Sequence, residues 1–97
     1  MNLREFCKRY NIGLGTVMEI TGVSDTDLIK YNRADKKVSK EAADKIDIFI
    51  KVVTDNNLVN SYDPDEPWYD RRIKFVKYKD KIRSLMEESY MGDKRIG

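Results

Sequence analysis

Ninety-seven residues with a formal net charge of +2, 37% of them charged and none of them histidine, exclude more than they suggest. A chain this short builds one compact domain, or one small domain plus an appendage, and without histidine the commonest general base, the Ser-His-Asp triad and histidine-ligated metal sites all fall away. Cys7 is the single cysteine and cannot close an internal disulfide, while uncharged runs such as Asn11 to Met18 fall far short of the roughly 18 apolar residues of a membrane span; the expected protein is soluble and cytoplasmic, with no membrane contact, no cofactor, no metal and no enzymatic activity.

In chain order, Asn2-Leu-Arg-Glu5 has the form of a capping box. It opens a first helix to about Tyr10 with Leu3, Phe6 and Tyr10 facing inward at i, i+3 and i+7. A weaker second helix starts near Leu14 or Gly15, because glycine disfavours helix by roughly 1 kcal/mol relative to alanine. It carries Val17, Met18 and Thr21 and stops at Gly22, a residue type that tolerates the left-handed conformation. Ser24 caps a third helix, with Asp27 at the capping-box position and Leu28 and Tyr31 inward.

After a polar turn over 32–37, Ser39 caps a fourth helix from Lys40 to about Val53. Its core stripe is Ala42, Ala43, Ile46, Phe49, Ile50 and Val53. Ile48 and Val52 lie off that stripe and are free to receive the C-terminal segment. Residues 54–66, rich in Asn, Asp and Pro, read as a linker or ordered loop. From Pro67 a C-terminal helix is predicted, with Ile73, Val76, Ile82, Leu85 and Met86 on an incomplete apolar face, Phe75, Tyr78 and Tyr90 alongside, and Gly92 as its stop. The expected organisation is thus a domain over 1–53, the 54–66 connection, and a helical segment over 67–97 that packs on the domain or dimerises. The expected fold class is all-α, a small helical bundle.

The net charge hides local separation. Asp63-Pro-Asp-Glu66 is acidic, whereas Arg71 to Arg83 carries seven basic residues opposed only by Asp80. A block of this kind attracts phosphates although the whole chain is almost neutral. It reads equally as the solvated face of an ordinary helix. Asp25-Thr-Asp27 and the 63–66 acids lack the spacing of a calcium loop and read as caps and turn formers. Gly13-Leu-Gly15 lacks the third glycine and the strand of a dinucleotide fingerprint.

The segment from Val17 through Gly22-Val23-Ser24, Leu28, Tyr31, Ser39, Ala42 and Ile46 resembles the Cro/cI-repressor (XRE-type) helix-turn-helix family over residues 1–53. The resemblance implies that the third helix enters the major groove of double-stranded DNA while the second crosses the backbone. Thr26, Ile29 and Lys30 would then face bases, and Arg33, Lys36 and Lys37 phosphates, joined by Arg71, Arg72 and Lys74 of the basic block. It also implies a small regulator of phage or mobile-element type, acting as a homodimer on a palindromic site.

Two departures favour a second reading. Met18 stands where the family usually has a small residue. Asp25 and Asp27 open the recognition helix, where carboxylates near phosphates cost binding energy. On this reading the scaffold binds protein, for instance as a phage inhibitor of a host protein, through Asp25 and Asp27, the 63–66 loop, or Trp68 and Tyr69 as interface anchors.

Overall fold

The computed structural model describes residues 2–60, 63–65 and 67–96, with the side chains of 68–71 and 90–96 outside that description. Six helices follow one another: α1 (Leu3–Tyr10), α2 (Leu14–Thr21), α3 (Asp25–Asn32), α4 (Lys40–Asn56), α5 (Trp68–Lys77) and α6 (Lys79–Ile96). No strand occurs among the described residues, so the chain is a small all-α bundle.

Short-range hydrogen bonds start the helices where the sequence places them. The Asn2 side chain accepts from the Glu5 amide at 2.8 Å, Ser24 from Asp27 at 3.3 Å and Ser39 from Ala42 at 3.1 Å, each relieving one orphan amide of a first turn. Left-handed residues end four of them, at Asn11, Gly22, Asn57 and, after α3, Ala34. The α3 terminus is a full Schellman motif: the Asp35 amide donates to Lys30 O at 2.9 Å and the Ala34 amide to Tyr31 O at 3.0 Å. Alanine thus occupies the position that usually takes glycine, at φ 54°.

Leu3, Phe6 and Tyr10 of α1 are buried as their spacing predicts, as are Ala42, Ile46, Phe49, Ile50 and Val53 of α4. Phe6 lies at the centre of a ring cluster, its centroid 4.6 Å from Tyr10, 5.1 Å from Phe49 and 6.2 Å from Phe75, with the last two contacts edge-to-face. The off-stripe face of α4 receives the C-terminal segment: Val52 is buried, and Ile48, Leu85 and Met86 pack on the same core. α6 packs chiefly on α4, while α2 packs against α3, α4, α5 and α6.

Four expectations are corrected. The inward face of α2 is Thr16, Val17 and Ile20 rather than Val17, Met18 and Thr21; Met18 is 39% exposed. The same spacing is rotated by one residue because α5 and α6 cover the side of α2 that carries Ile20. α4 runs to Asn56, one turn beyond Val53, and stops at left-handed Asn57. The C-terminal helix is two helices broken at Tyr78, whose amide closes α5 on Lys74 O at 3.2 Å and whose carbonyl opens α6 by accepting from Ile82 at 2.8 Å. The break lets Phe75 reach the α1 rings while Ile82 enters the core on α6, so Ile73, expected on the apolar face, is 60% exposed. Finally, α6 continues through Gly92 to Ile96.

Candidate nucleic-acid interface

α2 and α3 are joined by the three residues Gly22-Val23-Ser24. Gly22 adopts φ 76° and its amide returns to Met18 O at 2.8 Å, which turns the chain sharply. Val23 is buried beneath the turn, and its amide donates to Thr21 Oγ1 at 3.2 Å. Leu28 fixes α3 from below with no exposure. Tyr31 fixes it from the side, its hydroxyl donating to the Asp47 carboxylate on α4. Burial first, then this bond and the Asp47 charge, push the Tyr31 phenol up to about 12.

With Leu28 and Tyr31 directed to the bundle, the outward face of α3 carries Asp25, Thr26 and Ile29, all exposed, Ile29 by 41%. Lys30 and Asp27 are half-buried at its margins. The cations then continue along the chain: Arg33 caps α3, Lys36 and Lys37 sit in the following turn, and Lys40 is the first residue of α4, all four exposed. Asp35 is the one carboxylate among them, and its Oδ1 accepts from the Lys37 amide at 2.8 Å, shaping the turn that presents the lysines. Lys40 went unassigned in the sequence, although its adjacency to the Lys36–Lys37 pair was legible there.

The start of α2 adds a second element. Gly13 offers no side-chain cap, and a Cβ built on Gly13 or Gly15 meets nothing within 4 Å. Packing inside the chain therefore does not require either glycine. What they leave is a helix N-terminus without a side-chain cap, a geometry suited to a phosphate oxygen.

The 71–83 block lies on α5 and the start of α6, neither of which packs chiefly on α3. α3 packs chiefly on α1, α2 and α4, whereas α5 packs chiefly on α2 and α6 and sends Phe75 to the α1 rings. Arg72 is paired with Glu19 on α2 at 3.4 Å, and Lys74 is half-buried and already engaged. Lys77 lies over the Tyr78 ring at 6.0 Å. Arg83 donates to main-chain carbonyls of α2, Nε to Ile20 at 2.8 Å and Nη to Glu19 at 3.0 Å. Arg71, Trp68 and Tyr69 fall outside the described side chains.

Burial raises the half-buried Cys7 thiol to about 11, which keeps it protonated and unreactive near neutral pH. Among the described residues no group of three or more His, Cys, Asp or Glu side chains is placed to hold a metal ion, and no helix is long and apolar enough to cross a membrane. No protein-family model, curated protein or solved structure matches this chain.

Proposed function

We propose that the chain is a small DNA-binding transcriptional regulator of the kind carried by phages and other mobile elements, acting in the cytoplasm. In this reading α3 lies in the major groove, with Thr26 hydrogen-bonding a base edge, Ile29 against a thymine methyl and Lys30 toward guanine. Arg33, Lys36, Lys37 and Lys40 hold phosphates on one side, and the uncapped N-terminus of α2 holds one on the other. The observation that carries the reading is this continuity: a polar and apolar outward face on a helix held by a tight turn, running directly into four exposed cations around one carboxylate. A two-fold dimer would match a palindromic site. On α5, Ile73 at 60% exposure is an apolar side chain open to such pairing.

Fluorescence anisotropy with random and genomic duplexes at several salt concentrations tests it. Release of counterions by four to five phosphate contacts gives a slope of log affinity on log salt of roughly −4. Lys36→Ala plus Lys37→Ala reduces that slope by about 2. Absence of binding at low salt sinks the proposal.

A second reading has its own observation. Asp25 lies on the outward α3 face with exposed Ile29, Asp27 stands at its margin, and Met18 on α2 is exposed as well, acidic and apolar groups of the kind that capture a basic host protein. Asp25→Ala with Asp27→Ala separates the two. The substitution raises affinity for DNA if α3 meets phosphates, and abolishes partner capture if α3 meets protein.

A further inference from the structure

We infer that the cleft between α2, α4 and α6 is a binding site for a free amino acid with a large apolar side chain. The cleft measures about 480 Å³, within the range of roughly 300–1,000 Å³ typical of small-molecule sites. Its floor is Ile20, Ile48 and Met86. Thr21 completes the floor with its methyl group, because its hydroxyl donates to Val17 O at 2.7 Å and accepts from Val23. Such a surface takes an apolar side chain and nothing charged.

The rim supplies both signs of charge. On α4, Lys45 and Glu41 neutralise each other at 3.5 Å. On α6, Arg83 and Glu87 stand one helical turn apart and would ordinarily close on one another. They do not, because Arg83 is held away by the carbonyls of Glu19 and Ile20. Its second Nη remains available to donate, and among the described residues neither its charge nor that of Glu87 is met by an ion pair. A cation and an anion held apart beside an apolar floor complement a molecule carrying a carboxylate, an ammonium and an apolar group. Arg83 receives the carboxylate, Glu87 the ammonium, and the floor the side chain.

The inference rests on the fold alone and stands or falls separately from DNA binding. A ¹⁵N-resolved NMR titration of the whole chain without DNA, using L-phenylalanine, L-leucine and L-tryptophan, is expected to give saturable shifts at the Gly22 and Val23 amides beside Thr21. 3-Phenylpropionate and phenethylamine, each lacking one charge, bind about tenfold more weakly than phenylalanine. Glu87→Gln, at a side chain that makes no hydrogen bond or ion pair among the described residues, weakens phenylalanine about tenfold and leaves 3-phenylpropionate unchanged. Met86→Trp, filling the floor, abolishes binding of all three amino acids. No saturable shift up to about 10 mM ligand, equal binding of phenylalanine and 3-phenylpropionate, or indifference to Glu87→Gln in a folded protein overturns the inference.

Discussion

Arg83 on α6 and Ile20 on α2 are joined by a 2.8 Å hydrogen bond from guanidinium Nε to main-chain carbonyl. A second bond from the same group reaches Glu19 O at 3.0 Å. The last four carbonyls of a helix have no intrahelical donor, and α2 ends at Thr21, so a side chain from the far end of the chain completes its C-terminus. The positive charge also opposes the negative end of the α2 dipole.

Arg83→Ala is therefore expected to destabilise the fold by about 1–2 kcal/mol, the value of charge-assisted bonds at a part-exposed site. Arg83→Lys recovers less than half of that, because an ammonium cannot reproduce the planar fork. Glu87→Ala on the same helix stays within about 0.5 kcal/mol. Urea unfolding with unchanged m-value reads all three, and a neutral Arg83→Ala refutes the capping role.

The phase of α5 is checked by two neighbouring residues. Phe75 is fully buried, with its ring 5.8 Å from Tyr10 and 6.2 Å from Phe6, so Phe75→Ala costs about 3–5 kcal/mol. Ile73 is 60% exposed, so Ile73→Ala changes stability by no more than about 0.5 kcal/mol. The reverse order of these effects in chemical denaturation would restore the face that the sequence predicts.

Two backbone substitutions in opposite directions should both stabilise the free protein. At Ala34, φ 54° puts a Cβ in the left-handed region, and Ala34→Gly gains about 0.5–1 kcal/mol as that strain is relieved. At Gly15, inside α2 with nothing near a built Cβ, Gly15→Ala gains about 0.5–1 kcal/mol of helix propensity. Thermal unfolding measures both. Under the proposed function only Gly15→Ala also weakens DNA binding, since its methyl group stands where a phosphate approaches.

Tyr31 carries a pH signature. Its phenol is neutral in the fold up to about 12, against an ordinary value of 10.0, so above pH 10 ionisation favours the unfolded chain. The stability contributed by this group is whole below pH 10, falls as the pH rises toward 12 and levels off beyond. Tyr31→Phe removes that dependence and, by losing the bond to Asp47, lowers neutral-pH stability by about 1 kcal/mol. Alkaline denaturation of both proteins, with tyrosinate absorbance, checks the window; identical alkaline profiles would contradict it.

Local chemistry determined what the sequence could determine by itself. The caps at Asn2, Ser24 and Ser39 depend on partners three residues away, and the stripes of α1 and α4 on a regular period, so both were legible without a fold. The second face of α4 at Ile48 and Val52 was legible for the same reason. Tertiary structure alone decided which way α2 turns, where the C-terminal helix breaks and which groups Arg72 and Arg83 meet. Arg83 meets Ile20 across 63 residues and Arg72 meets Glu19 across 53, contacts that no local pattern encodes. Phe75 displaces Ile73 from the core because a ring cluster on α1 and α4 was there to receive it, a complementarity that no periodicity within α5 encodes.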